Sequence, residues 1–447
     1  MGTETKIEII SRKTIKPSSP TPHHNRILKL SLLDQFLPPT YGCFIFFYNS
    51  TPNNGDDYHH SSFLEKSNSL QKSLSETLVH FYPFAGRLKD SSTIECNDEG
   101  AYFVEAQMNC KLSEILNQAE AKLLNQFLNP INNPKTAELA TNAMLVVQVT
   151  AFKCGGIAIA ICNLHKLVDA SSACAFAQNW TGQTRGDDSG VIAPNFIGAS
   201  LIPPIEPKDL QAFPISDTLV RPQNFTITTR RLVFSPSNLA SLKAKIVAEQ
   251  VLINPTNVQL VTAMVVKSAT KAARSLSGLS KPSLLSQSVN LRKRMIPPLP
   301  ENAVGNLISA FRVLVEENDG LHEIVGKMRK ECDVFCKEMA NRYRGEEGFL
   351  VVLEAVKEMS EVGKKGINMY NCTSLCKFPV YDMDFGWGKP IWVISPMFFK
   401  NVFALVDTKC GDGIEVWVTL EEQEMSIFER DEELLAFASI NPSVIDT

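Results

Sequence analysis

The 447-residue sequence contains few of the short motifs by which cofactor sites and catalytic sites are recognised. A Gly-x-Gly-x-x-Gly fingerprint, a phosphate-binding lysine loop, a Gly-x-Ser-x-Gly elbow and a His-Glu-x-x-His pair are all missing. Their absence argues against Rossmann-type dinucleotide binding, P-loop nucleotide hydrolysis, serine-hydrolase catalysis and zinc-peptidase activity. We therefore expect no permanently bound cofactor.

An excess of positive charge and long apolar runs are missing as well. The chain has 44 Lys and Arg against 48 Asp and Glu, for a net charge of −4, whereas a nucleic-acid-binding domain presents a basic field. The apolar stretch that begins at Gly155 is interrupted by His165, Lys166 and Asp169, so it is too short to span a membrane. The sequence therefore predicts neither a nucleic-acid partner nor a membrane span.

Cysteine spacing gives no sign of a disulfide framework. The eleven cysteines are odd in number and irregularly spaced, and the first 30 residues lack the apolar core of a signal peptide. Two C-x₃-C pairs, Cys332/Cys336 and Cys372/Cys376, would permit a zinc site, but Cys332 falls on the apolar stripe of a predicted helix. These features favour a cytoplasmic protein without a metal site. Separately from them, we expect a monomer.

Composition and patterning predict a mixed α/β protein with sizeable cores. Hydrophobic residues make up 44% of the chain and charged residues 21%. Three- and four-residue apolar spacing predicts helices at 63–81, 170–180, 256–274 and 321–343, and a further helix from Pro236. Runs rich in β-branched and apolar residues predict hairpins at 93–107 and 143–162 and a strand at 225–234.

A proline-rich segment in the middle of the chain suggests a domain boundary. Prolines 194, 203, 204, 207, 214 and 222 are each incompatible with a helix interior. We therefore expect an N-terminal lobe over 1–190, a crossover segment over 191–224 and a C-terminal lobe over 225–447.

His165 is the most interesting of the seven histidines, because it stands where an apolar strand gives way to a helix. Strand ends place side chains against ligands on a rigid backbone. Asp169 follows four residues later. From position alone it could orient the imidazole or form the N-cap of the next helix.

Motifs from both halves of the chain, taken together, resemble the BAHD acyltransferases of plants. The likeness rests on His165-x-x-x-Asp169 and on Asp384-Phe385-Gly386-Trp387-Gly388. Further segments match the family in the same order, at 16–22, 32–35, 82–88, 290–292, 304–306 and 413–418. The match is closest to the vinorine-synthase-like branch, which acetylates alkaloids, terpenoids and sugar-decorated products.

The resemblance implies a fold and a mechanism. The family's fold is α/β, with two chloramphenicol-acetyltransferase-like lobes, mixed sheets and a tunnel between the lobes that reaches the histidine from both faces. Coenzyme A enters on one side and the acceptor on the other. By this likeness His165 is the general base and no acyl-enzyme forms, in agreement with the missing nucleophile motif.

The resemblance also implies roles for the other motif residues. Asp169 is expected to be structural and to pair with Arg292. The segment Asp384, Phe385, Gly386, Trp387 and Gly388 is expected to be architectural. Contacts with coenzyme A are expected at Gly305, Asn306 and Lys267, although Lys267 could equally lie on a solvated helix face.

Two positions depart from the family pattern, since Leu164 stands where Ser is common before the histidine and Ala170 where Gly is usual after the aspartate. Either change could alter the fit of the acceptor or, as the second alternative, the activity itself. The expected reaction is transfer of an acetyl group from acetyl-CoA, as co-substrate, to a small-molecule alcohol, with a triterpenoid glycoside (saponin) ranked ahead of an alkaloid. A malonyl donor would need a cationic partner, for which Arg292 and Arg312 stay open. An inactive ligand-binding relative and an ester hydrolase are the alternatives.

Overall fold

The computed structural model describes residues 6–50, 56–118, 120–128, 143–187, 193–206, 226–249, 254–279, 281–396 and 399–445. The strands in these ranges are β1 Ile7–Ile15, β2 Ile27–Lys29, β3 Tyr41–Tyr48, β4 Arg87–Asp90, β5 Thr93–Glu95, β6 Ala101–Met108, β7 Leu145–Phe152, β8 Ile157–Leu164, β9 Ile227–Phe234, β10 Ser283–Asn290, β11 Ile308–Val315, β12 Asn368–Ser374, β13 Trp392–Ile394, β14 Val402–Asp407, β15 Ile414–Glu421 and β16 Ser439–Ile440. The α-helices are α1 Leu32–Phe36, α2 Asp56–His80, α3 Leu112–Gln118, α4 Ala121–Leu124, α5 Ala170–Arg185, α6 Gly198–Leu201, α7 Pro236–Glu249, α8 Asn257–Ser277, α9 Leu321–Val334, α10 Gly345–Lys364, α11 Glu422–Phe428 and α12 Glu432–Leu435.

The described strands form two large mixed sheets and one small antiparallel sheet. The first sheet has the order β1-β6-β7-β8-β3-β13, in which β6 and β7 are parallel. The second has the order β11-β10-β12-β14-β15-β9-β16, in which β12 is parallel to both β10 and β14. Strands β2, β5 and β4 make the small sheet. The predicted α/β fold of two lobes with mixed sheets is confirmed.

Each large sheet supports its own core. Strand β8 is buried along its whole length, and one face of the first sheet packs against α2 and α5 through side chains such as Leu74 and Trp180. The second sheet is covered by α8, whose interior positions from Leu260 to Ala273 are largely buried. Thr256 caps the start of α8, and Gly278 ends it in the left-handed conformation. The loops that leave β8 and enter β11 therefore start from rigid supports.

Most of the helices predicted from apolar spacing are present, and three of them are longer than predicted. Helix α2 covers the predicted 63–81 stretch up to His80, and α5 continues past Trp180 to Arg185. The helix predicted at 321–343 is less regular than expected. The α-helix ends at Val334 and continues as a π turn and a 3₁₀ turn, and Gly345 opens α10.

The hairpin predicted at 93–107 is wrong. Strand β5 pairs with β2 and β4 in the small sheet, whereas β6 pairs with β1 and β7 in the first sheet. The two strands lie in different sheets because β6 is buried almost along its whole length. Such a pattern is typical of a strand in the interior of a sheet. The hairpin predicted at 143–162 is confirmed as β7 and β8.

The two halves of the chain are interleaved at the edge of the first sheet. Strand β13, from the second half, pairs with β3 in antiparallel register, with Trp392 opposite Phe47. Of the predicted crossover segment 191–224, residues 193–206 are described and the rest lie outside the described residues. The division of the chain at this segment stays a prediction.

Candidate active site

His165 lies directly beyond β8 and continues its ladder. Its backbone N–H donates to the carbonyl of Thr40 at 2.7 Å, so the residue is held as if the strand went on. Every other residue from Ile157 to Asp169 is buried, and His165 is partly exposed. The fold thus exposes one imidazole at the end of an otherwise buried segment.

Asp169 performs two structural tasks at once. One carboxylate oxygen accepts from the backbone N–H of Ser172 at 2.9 Å and so caps α5. The guanidinium of Arg292 reaches both oxygens, at 2.7 and 3.1 Å, and the N–H of Leu307 donates to Oδ2 at 3.1 Å. Asp169 and Arg292 are only 2% and 6% exposed. The ion pair expected from the resemblance is therefore present and buried.

The same network fixes the loop that enters β11. Arg292 Nη2 also donates to Ser172 Oγ at 2.8 Å and to the carbonyl of Gly305 at 3.2 Å. The N–H of Gly305 in turn donates to Ser172 Oγ at 3.1 Å. Gly305 has φ +140°, a backbone conformation that suits glycine. Helix α5 and residues 303–307 are thereby locked to each other across the two halves.

This lock brings Asn306 to the imidazole. The side-chain oxygen of Asn306 lies 3.1 Å from His165 Nδ1, and its Nδ2 donates to the backbone carbonyl of His165 at 2.7 Å. Asn306 is 0% exposed. Of the three positions for which coenzyme A contacts were predicted, Gly305 and Asn306 are thus next to the histidine.

Asp34, on α1, completes the cluster from a third segment. Its Oδ1 accepts from the backbone N–H of Asn306 at 3.0 Å and from Nδ2 of the same residue at 2.8 Å. Its Oδ2 accepts from the N–H and the hydroxyl of Ser31 at 2.8 and 2.6 Å. Burial raises the pKa of Asp34, and these four hydrogen bonds act in the opposite direction.

Open space adjoins the cluster on two sides. A Cβ added at Gly42 or at Gly305 would meet no atom within 4 Å. Gly42 lies on β3 directly opposite Asn163, two residues before His165, whereas Gly305 precedes Asn306. A side chain would therefore fit at either glycine without meeting a neighbour.

The segment Asp384–Gly388 forms a turn of its own. Asp384 Oδ1 accepts from the N–H groups of Gly386 at 2.7 Å and of Gly388 at 3.0 Å, and both glycines have φ +105°. Phe385 is buried between the rings of Trp180 and Trp387, with centroids 5.0 and 5.7 Å away. The geometry fits an architectural role.

Lys267 lies in a different environment. Its ammonium donates to Glu433 at 2.6 Å, and the pair lines a surface cavity of about 450 Å³ together with Lys271, Arg274 and several carboxylates. An incoming phosphate would have to compete with Glu433 and Asp431 for these cations. The contact predicted between Lys267 and coenzyme A stays a prediction, and the described contacts do not bring this residue to His165.

The two departures from the family pattern have simple structural settings. Leu164 is buried in the core of the first sheet. Ala170 is the first residue of α5 and needs no left-handed backbone, so glycine is not required there. Neither residue disturbs the bonds of His165 or Asp169 given above.

Within the described ranges, no three His, Cys, Asp or Glu side chains gather as a group that could hold a metal ion. No helix in the described part of the chain is both long and apolar enough to cross a bilayer.

Two functional positions were missed from the sequence. Asp34 belongs to the 32–35 segment, for which no role is predicted, and Ser172 belongs to none of the motifs. Both act through partners more than 130 positions away, Asn306 and Gly305 respectively. The one available signal was that the 32–35 segment matches the family in its place along the chain. This match does not indicate what Asp34 does.

The comparisons with known proteins agree over nearly the whole chain. The family model described as Transferase family matches residues 5–435. Akuammiline synthase 1 from Alstonia scholaris is 38% identical over 438 residues, covering 97% of this chain and 98% of that protein. Limonoid 7-O-acetyltransferase from Citrus sinensis is 35% identical over 458 residues, covering 97% and 98%.

Solved structures give the same assignment. The crystal structure of vinorine synthase superposes with a TM-score of 0.81 at 32% identity and covers 97% of this chain and 99% of that one. The F. graminearum TRI101 complex with coenzyme A and T-2 mycotoxin shares the fold, with a TM-score of 0.71 at 15% identity over 93% of this chain and 99% of that one. The chain belongs to the Transferase family, the BAHD acyltransferases, and is a CoA-dependent acyltransferase.

Proposed function

We propose that this protein transfers the acetyl group of acetyl-CoA to a hydroxyl of a large, mostly apolar plant metabolite, with a triterpenoid glycoside (saponin) as the first-ranked acceptor. The observation that carries the proposal is the contact between His165 and Asn306. In the neutral form of the ring, this contact favours a hydrogen on Nδ1 and leaves Nε2 to accept a proton.

The roles of the two ring nitrogens follow from Asn306. Its Nδ2 faces two atoms that only accept, the His165 carbonyl and Asp34 Oδ1. Its oxygen must therefore face His165 Nδ1, which has to carry the hydrogen. The lone pair is then on Nε2, where a general base needs it.

The reaction can be written without a covalent enzyme intermediate. Nε2 of His165 takes the proton of the acceptor hydroxyl while the alcohol oxygen bonds to the thioester carbonyl carbon. The tetrahedral intermediate collapses, the C–S bond breaks, and the coenzyme A thiolate leaves and receives the proton from His165. The products are the acetyl ester and free coenzyme A, and the imidazole is neutral again.

The surrounding charges support an acetyl rather than a malonyl donor. A malonyl carboxylate needs a cationic partner in a buried site. Arg292 is already engaged by Asp169 and Ser172, and Arg312 pairs with Glu358 at 3.0 Å. Both arginines left open by the sequence thus already have a carboxylate partner with which a malonyl group would have to compete, whereas an acetyl group requires no cation.

The acceptor class is supported by the names of relatives. Similar proteins from Citrus sinensis and Melia azedarach are named limonoid O-acetyltransferases, which favours a terpenoid acceptor. Akuammiline synthase 1 favours an alkaloid acceptor, which is therefore the second candidate. The sugar on the first-ranked acceptor comes from the sequence resemblance alone.

The test is an acceptor and donor screen with the purified protein. Acetyl-CoA is supplied with triterpenoid aglycones, triterpenoid glycosides and indole alkaloids, while free thiol and product masses are followed. An acetylated glycoside formed fastest is the expected result, and a preference for an alkaloid would select the second candidate. Competing acetyl-, malonyl- and coumaroyl-CoA in one reaction tests the donor, and a malonylated or aromatic main product would contradict it.

The same screen separates two further alternatives. Thiol release without an acylated product would indicate hydrolysis. No release with any acceptor would favour an inactive ligand-binding relative.

A further inference from the structure

Asp34 is a buried carboxylate whose hydrogen bonds go to Asn306 and Ser31 rather than to the imidazole. Helix α1, which carries it, packs between the two halves. Leu32 belongs to the core of the second sheet, whereas Leu30, two residues earlier, belongs to the core of the first. Asp34 therefore stands where an active site shared by both halves is assembled.

We propose that Asp34 is a positioning residue of the active site, which fixes the amide of Asn306 and through it the Nδ1–H tautomer of His165. The proposal rests on the base role of His165 given above. It adds a residue that touches neither substrate nor the reacting atoms.

The hydrogen-bond pattern determines the orientation of the amide. Nδ2 of Asn306 has two hydrogens, and they are used by Asp34 Oδ1 at 2.8 Å and by the His165 carbonyl at 2.7 Å. The backbone N–H of Asn306 is held by the same Asp34 oxygen at 3.0 Å. A flipped amide would place its oxygen against two acceptors in a dry site, an arrangement that is strongly unfavourable.

A carboxylate here exceeds what α1 needs for its own capping. A neutral side chain could accept the Ser31 bonds of the capping box, and burying a charge is costly. The Lys166 ammonium lies near Asp34 and is itself buried, and burial lowers its pKa while Asp34 raises it. The retained charge is explained by a second task, since an ionised carboxylate has only acceptor sites and cannot donate to Asn306.

The tautomer matters because an isolated neutral imidazole prefers its hydrogen on Nε2. That form would face the acceptor hydroxyl with a donor instead of a lone pair. Weaker hydrogen bonds between Asp34 and Asn306 should therefore reduce the fraction of enzyme molecules in which His165 has the Nδ1–H tautomer. The contacts with the substrates should not change.

The test compares the full-length wild type with Asp34→Asn, a nearly isosteric change that places a donor on one side of the carboxyl site. We expect kcat to fall about 10- to 100-fold, less than for loss of a base, while KM for acetyl-CoA stays within about threefold. In protein labelled with ¹⁵N-histidine, the His165 signals, assigned with His165→Ala, should move from the Nδ1–H pattern towards the Nε2–H pattern. Asp34→Ala provides the same measurements if Asp34→Asn does not fold.

Ser31→Ala is the matched control. It removes a partner of the other oxygen of the same carboxyl and weakens the α1 cap, but it leaves the Asn306 contacts in place. We expect a slightly lower melting temperature with unchanged kcat and an unchanged His165 tautomer.

Several results would overturn the proposal. The first is a His165 tautomer that stays unchanged in the Asp34 variants, whatever the value of kcat. The second is a changed His165 tautomer in a variant that keeps full activity. An equal tautomer shift in Ser31→Ala would also overturn it. A wild type that transfers no acetyl group to any alcohol would instead contradict the proposed function, and the ¹⁵N measurement would still test Asp34.

Discussion

Asp169 and Asp384 belong to the two main motifs of the chain, yet their hydrogen bonds reach over very different distances. Asp169 accepts from Arg292 and Leu307, 123 and 138 positions away. Asp384 accepts from Gly386 and Gly388, two and four positions away. The first aspartate joins two halves at the active site, and the second shapes one turn. Motif aspartates of one protein can therefore carry very different amounts of its stability.

The largest effect on activity is expected at His165, which takes part in the reaction itself, whereas the two aspartates support the structure. His165→Ala should lower kcat/KM for acetyl transfer roughly 10²–10⁴-fold, because the general base is lost. The protein should stay folded with a slightly lower melting temperature, since the partly exposed ring contributes little packing but its hydrogen bond to Asn306 is lost. Steady-state kinetics and a thermal scan are the measurements. Retention of more than about a tenth of wild-type turnover would remove His165 as the base.

Removing either member of the buried ion pair should come next. Asp169→Ala and Arg292→Ala should each lower the free energy of unfolding by roughly 3–5 kcal/mol, because the partner is left as an uncompensated buried charge. Denaturant titration of the single and double variants gives the coupling. We expect the double variant to lose less than the sum of the two, and strict additivity would contradict the pair.

Asp384→Ala should have a smaller effect. Two backbone N–H groups lose an acceptor in a turn that is partly open to solvent, so about 1 kcal/mol of stability should be lost. Activity should fall only in proportion to the folded fraction. A loss as large as that of Asp169→Ala, measured in the same titration, would remove the distinction between the two aspartates.

Lys389→Ala should have the smallest effect. Its ion pair with Asp382 is 2.7 Å long, but the two side chains are 64% and 58% exposed, so solvent and salt screen it. We expect the melting temperature to match that of the wild type at physiological salt. A clear decrease would show that this surface pair supports the neighbouring turn.

Local patterns were sufficient to predict the helices and many of the strands. The apolar spacing of Leu70, Leu74 and Leu78 describes a buried face whatever the helix packs against. The 93–107 prediction failed because hairpin signals are local, whereas the partners of β5 and β6 were chosen by burial in two different sheets.

The active site was predictable in part. His165 was visible from its place after a buried strand, and Arg292 came from the resemblance. The roles of Asp34 and Ser172 depend on contacts that cross 272 and 133 positions, and no local pattern encodes such a contact. For Lys267 the sequence predicted a helix but did not determine the partner of the ammonium group. In the structure that partner is Glu433.

The pairing of β13 with β3 has a consequence for folding during synthesis on the ribosome. Strand β3 emerges early, but its outer neighbour is residues 392–394, so this edge stays unpaired until most of the chain has been synthesised. At 5–20 residues per second the wait lasts on the order of tens of seconds. An apolar, unpaired edge is a template for association with other nascent chains. Truncated versions that stop before Trp392 would keep that edge permanently, and they would depend on chaperones or on the missing strand supplied in trans.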